Sequence, residues 1–219
     1  MGAMICRIVA QSTGHWVRTM APRVMDLRGH SNFTLDSKRN LFMAVPAEFN
    51  AAQWFSDNTA GGSRLTPETQ HSIADFTTMW NFFEGNLCRN EGNIAAFERV
   101  ADLYRPSAEQ HQGVCGCVAF WRSRYTDEEG ILPRFDRLEF RARDRRVLVE
   151  SVLLGQNDEP HDVLLATLII IYRLRNNLFH GLKSLDTLND QVENLRTATY
   201  CLSIVLTATP SHLVRPQYA

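Results

Sequence analysis

Near its C-terminal end the chain reads YRLRNNLFHG, from Tyr172 to Gly181. Arg175, Asn176 and His180 are residues whose types and spacing could do chemistry together. On a helix of 3.6 residues per turn, Asn176 and His180 lie about 40° apart and face the same way, while Arg175 flanks them at about 140° from His180. Long side chains can still converge on a substrate, more easily where two copies of the helix end meet. His180 precedes Gly181 in the last turn, where the helix dipole favours a charged imidazole. An arginine beside a partly protonated histidine, with no carboxylate ligand set, suits a phosphodiester: one group clamps charge, the other protonates a leaving oxygen. The alternative is structural. Arg175 and His180 could satisfy helix-end carbonyls, with Asn176 and Asn177 as cap residues.

These residues are positioned by the apolar run VLLATLIIIY, opened by Asp158, Glu159 and Pro160. An acidic first turn suits the dipole and proline is tolerated at a helix start, so the run predicts a central helix buried on all sides. Around it the sequence predicts an all-α bundle from about Thr66 to Thr209. Thr66-Pro67-Glu68 starts a helix running to about Leu87, with Ile73, Phe76, Trp80, Phe83 and Leu87 on one face. Asn93 to Tyr104 predicts a second, with Ile94, Phe97, Val100, Ala101 and Leu103 inward. Ala108 to Tyr125 predicts a third, weakened by Gly113 and Gly116. TDEEGILP reads as a surface loop, and Val147 to Leu154 as an apolar helix end. A last helix is expected at about Thr187 to Thr207. Asn58 to Ser63 contains turn residues throughout and marks a boundary. It separates an N-terminal appendage of unassigned role, residues 1–62, from the main domain, residues 63–219. Within the appendage, Leu35 to Val45 and the stretch AEFNAAQWF suggest short helices, the first burying Leu41 and Phe42 and the second carrying Phe49 and Trp54; the rest is irregular.

Composition narrows the function further. The 219 residues carry 23 Lys and Arg against 24 Asp and Glu, a net charge of −1. That excludes a wholly basic nucleic-acid-coating surface and leaves room for a local patch. One basic segment stands out, from Arg134 to Arg146. Its arginines are interleaved with Asp136, Glu139 and Asp144. Two readings stand: a solvated helix face laced with ion pairs, or a phosphate-tracking patch in which Arg141, Arg145 and Arg146 hold RNA phosphates. Five cysteines in no framework spacing speak against a secreted disulfide scaffold, and Cys115-Gly116-Cys117 lacks a second pair for zinc. Buried thiols in a reducing cytoplasm are expected, with no metal site and no cofactor. The longest apolar run falls well short of the roughly 20 residues of a membrane span.

The motif and its setting resemble the HEPN superfamily. Its signature places an Arg, usually followed by a polar residue, four to six positions before a His. Arg175-Asn176-Asn177-Leu178-Phe179-His180 has this form, including Asn directly after Arg, and Gly181 also fits. The late motif helix followed by one more long helix is similar to the family's order. TMWNFFEG, around Trp80 and Glu84, looks like the first helix of stand-alone bacterial members linked to plasmids and phage defence. The resemblance implies a metal-independent endoribonuclease of the toxin or phage-defence kind, working as a homodimer with a composite cleft. His180 would act as general acid or base for attack of the ribose 2′-OH, Arg175 would stabilise the phosphate charge, and Asn176 would position it. Asn177 and Glu84 are supporting candidates. An antitoxin or other regulatory partner is also implied. Silencing by nucleotide transfer to a Tyr two residues after the His is not, because Leu182 stands there. Some HEPN domains are instead non-catalytic modules that bind nucleotide, RNA or protein.

Overall fold

The central helix forms as its sequence predicts, and it is apolar nearly all round because other helices surround it. In the computed structural model the described residues are 49–59, 64–179 and 187–210. The chain divides into two units at Ala47 and Glu48, and all described residues lie in the second. The short helix expected at 35–45 lies outside the described residues, as do His180, Gly181 and Leu182.

Among the described residues there are seven α-helices: α1 (Ala51–Asn58), α2 (Pro67–Leu87), α3 (Ile94–Leu103), α4 (Ala108–Tyr125), α5 (Arg146–Leu153), α6 (Pro160–Phe179) and α7 (Val192–Ala208). None of these helices is long and apolar enough to cross a membrane. Helix α6 packs against α3, α4 and α5, while α7 packs against α2 and α4. From Val163 to Ile171 every side chain of α6 is buried. That sequence of β-branched and leucine residues folds as helix because each of its faces meets a neighbour.

Helix ends follow capping chemistry. Thr66 Oγ1 accepts from the Thr69 N–H at 3.1 Å, with Pro67 in the first turn, and Asn93 Oδ1 accepts from the Ala96 N–H at 3.0 Å. Ser107 and Gln110 form a reciprocal capping box at the start of α4. Asn189 ties two distant segments together. Its Oδ1 accepts from the Thr69 hydroxyl at 2.6 Å and its Nδ2 donates to Arg64 O at 2.8 Å. The approach to α7 is thereby fastened to the start of α2. Arg122 of α4 closes α5 by donating to Leu153 O and Val152 O at 2.8 and 3.0 Å.

Four expectations need correction. The arginine-rich segment is not one helix. Pro133–Leu138 is a 3₁₀ helix, Glu139 and Arg145 adopt positive φ, and α5 begins at Arg146. The left-handed residues break helical continuity on both sides of the turn. The loop after α4 contains a two-stranded antiparallel ribbon, Thr126–Asp127 with Gly130–Ile131, reversed by Gly130 at φ 128°. Leu103, expected inward, is 54% exposed in the last turn of α3. The last helix starts later than expected, at Val192, after a 3₁₀ turn at Asn189–Gln191. Among the four described cysteines, Cys88, Cys117 and Cys201 are buried and Cys115 is exposed.

Candidate functional site

Consecutive residues at the C-terminal end of α6 take different neighbours. Successive positions on a helix turn by about 100°, so Arg175 and Asn177 point some 160° apart. Arg175 leans toward α2. Its Cζ lies 5.7 Å from the centre of the Trp80 ring and 5.0 Å from that of Phe179, and its Nη2 lies 3.9 Å from Glu84 Oε2. A guanidinium between two aromatic faces is held in orientation while its charge remains available. The side chain keeps 27% of its surface exposed, and its Nε has no hydrogen-bond partner among the described residues. At 3.9 Å the carboxylate sits at the outer limit of an ion pair. Glu84 steers Arg175 without saturating its donors.

Glu84 is itself fixed from two sides. Oε2 accepts from the Trp80 indole N–H at 2.9 Å and Oε1 from the Gly92 backbone N–H at 3.0 Å. Gly92 must be glycine for this approach: a Cβ there would sit 2.5 Å from Glu84 Oε1 and 3.0 Å from Trp80 Cζ2. Beneath lies an aromatic cluster in which Trp80 stacks on Tyr172, with ring centres 6.2 Å apart, and packs edge-on against Phe97 at 6.3 Å. Glu84, a supporting candidate by resemblance, lies beside Arg175. Trp80 stands in the buried apolar face of α2, as its spacing predicts. Its indole N–H is what links core to site, and the spacing of four residues between Trp80 and Glu84 on α2 was the available signal.

Asn176 is buried. Its Oδ1 accepts from Arg175 Nη1 at 3.2 Å, while its Nδ2 finds no partner among the described residues. In this arrangement Asn176 positions the guanidinium. Asn177, also buried, donates from Nδ2 to Arg137 O at 2.8 Å and so belongs to the opposite side of α6. It clamps the 3₁₀ helix. One turn earlier on that side, Arg173 does the same with a charge: Nε donates to Leu138 O at 2.9 Å and Nη1 lies 3.2 Å from Asp144 Oδ2. Burial pushes the Arg173 guanidinium down from its ordinary value, and Asp144 opposes that shift. Arg173 escapes notice in the sequence, because an arginine inside an apolar run reads as its end. The acid spaced among the arginines, Asp144, was the signal.

Two of the three arginines expected to hold phosphates have other engagements. Arg145 pairs with Glu98. Arg146 pairs with Asp136 at 2.8 Å and Glu150 at 2.6 Å and lies over the Phe135 ring. Arg141 is exposed, and its backbone N–H donates to Asp144 Oδ2 at 2.8 Å. These ion pairs match the solvated-face reading of the segment, now carried by a turn.

The described part of the site is therefore a partly exposed guanidinium, oriented by a buried amide, a fixed carboxylate and two aromatic rings. Such a group can bind an oxyanion. No cluster of His, Cys, Asp or Glu that could hold a metal ion occurs among the described residues. No protein-family model matches the chain, and no curated protein or solved structure matches it either.

Proposed function

We propose that the protein is a HEPN-like, metal-independent endoribonuclease of the toxin or phage-defence kind. In this reading a second copy of the chain completes the cleft. Arg175 stabilises the charge that builds on the scissile phosphate, and Asn176 and Glu84 hold it in orientation. His180 passes the proton between the ribose 2′-OH and the leaving 5′-oxygen. The products are a 2′,3′-cyclic phosphate and a 5′-OH end. The observation that carries the reading is Arg175 itself. It is pre-oriented by residues of two helices, retains solvent access, and stands in the Arg-Asn-Asn-Leu-Phe-His string at the end of a buried helix.

The test is cleavage of a structured RNA in EDTA by wild type, Arg175→Ala and His180→Ala. Both variants should lose activity while keeping the wild-type circular dichroism spectrum. Cleavage that needs a divalent ion, or that survives His180→Ala, refutes the proposal.

One observation favours a second reading, a non-catalytic binding or interaction module. Arg175 is engaged by Trp80, Phe179 and Glu84, as an arginine anchoring a helix end would be. A folded wild-type protein without RNA cleavage, whose Arg175→Ala variant loses stability, would support that alternative.

A further inference from the structure

Phe179 ends α6, and it is 47% exposed. A lone apolar residue on a surface calls for no explanation, but Phe179 stands at the site itself. The Arg175 guanidinium lies over its ring, 5.0 Å from the centre, and over the Trp80 ring at 5.7 Å. Cation and rings therefore alternate in the order Trp80, Arg175, Phe179. The two rings differ in what they can still meet. Trp80 is wholly buried, with Tyr172 stacked on it and Phe97 at its edge. Phe179 packs on no second ring among the described residues. Much of its surface is left to meet a ligand.

A bare aromatic ring beside a guanidinium that can bind an oxyanion narrows the class of ligand. In a nucleotide the phosphate is joined to a flat aromatic base through one sugar, so a base whose phosphate sits on Arg175 can reach the neighbouring ring. Stacking needs only a π face, and Phe179 has no polar atom with which to read a base edge. A base can lie on the ring only when it is out of a duplex, in a loop or a free strand. Other ligands fit less well. An acidic peptide would use the guanidinium and leave the ring in water. An apolar protein surface would cover the ring at the cost of desolvating Arg175 and Glu84 beside it.

We propose that Phe179 is the stacking platform for one unpaired base of single-stranded RNA, the base next to the phosphate held by Arg175. The choice of RNA as ligand rests on the ribonuclease reading. The assignment gives the site a substrate class, unpaired RNA bound with little sequence preference, and it makes Phe179 a binding residue in addition to Arg175, Asn176 and His180.

Fluorescence anisotropy of the full chain with two labelled decamers tests the assignment. One is 2′-O-methyl oligouridine, and the other is the same 2′-O-methyl ribose-phosphate chain without bases; neither has a 2′-OH to be cleaved. Wild type should bind the uridine strand at least about fivefold more tightly, the lower end of what one stacked base contributes. Phe179→Leu should abolish that difference while binding the baseless strand like wild type. Phe179→Trp, with a larger ring, should widen the difference, and it decides the case if the leucine variant misfolds. A ring that served only to hold Arg175 would weaken both strands alike on Phe179→Leu, and that result overturns the proposal. So does failure of either strand to bind, an undiminished uridine affinity in Phe179→Leu, or a difference that Phe179→Trp leaves unchanged or smaller. Conversion of a dimer to a monomer by Phe179→Leu in sedimentation also overturns it, because the ring then belongs between two copies. The cleavage reading fails separately. Wild type that shows the strand difference and its loss in Phe179→Leu, yet cuts no RNA in EDTA, refutes the ribonuclease and leaves the stacking platform standing. Cleavage in EDTA together with equal weakening of both strands does the reverse.

Discussion

Replacing Asp144 by Asn should destabilise the protein by about 3 kcal/mol, since breaking a buried ion pair from one side costs roughly 3–5 kcal/mol. Arg173 is 2% exposed, and burial already disfavours its charge; Asp144 is the group that opposes this. Two features put the loss at the low end of the range. Arg173 keeps its 2.9 Å bond to Leu138 O, and the substituted amide can still accept from the Arg141 N–H. The contact to Nη1 is also not aligned as a hydrogen bond. For a chain of this length about 3 kcal/mol corresponds to a fall in Tm of roughly 6–12 °C. Urea unfolding followed by circular dichroism measures it. The double replacement Arg173→Met/Asp144→Leu removes both charges and should cost less than Asp144→Asn alone. A loss below about 1 kcal/mol in the single variant, or a double variant worse than the single, would refute the reasoning.

Three further outcomes follow from the same contacts. Gly92→Ala drives a Cβ into Glu84 Oε1 and should both destabilise the fold, by roughly 1–3 kcal/mol, and lower any activity that depends on Arg175; wild-type behaviour would show that the Glu84 position is not fixed from this side. Burial pushes the Cys88 thiol from 9.0 up to about 12 and the Tyr104 hydroxyl from 10.0 up to about 12. Both folded values are raised, so their contribution is complete below pH 9 and is lost as pH rises toward 12, and a stability–pH profile should decline over that window. Ser107→Ala removes half of the capping box on α4 and should cost about 1 kcal/mol in urea unfolding.

Much of the bundle was legible because local signals and packing agree in it. Pro67 after Thr66, Asn93 before Ile94 and Ser107 before Ala108 each pair a capping side chain with an apolar period, and each helix starts there. Gly113 and Gly116 did not break α4. Helix propensity is a weak force beside the burial of Val114, Cys117, Val118 and Trp121 on one face. The turn between the 3₁₀ helix and α5 was not legible. Its conformation is set by Asp144, which reaches back to Arg141 and across to Arg173, a contact 29 residues away in sequence. At the site, spacing suggested Arg175 and the resemblance suggested Glu84, and tertiary packing brings the two together. The split of Asn176 and Asn177 to two sides of α6 follows from helix geometry, but only the fold shows what each side meets.

The central claim is tested most directly by one incubation. RNA carrying a labelled cleavage site is treated with the purified protein in EDTA, alongside the same strand with a single 2′-deoxy substitution at that site. Chemistry through the 2′-OH predicts cleavage of the ribose strand to a 2′,3′-cyclic phosphate and resistance of the deoxy strand. Equal cleavage of both strands, or no cleavage of either by folded protein, would contradict it.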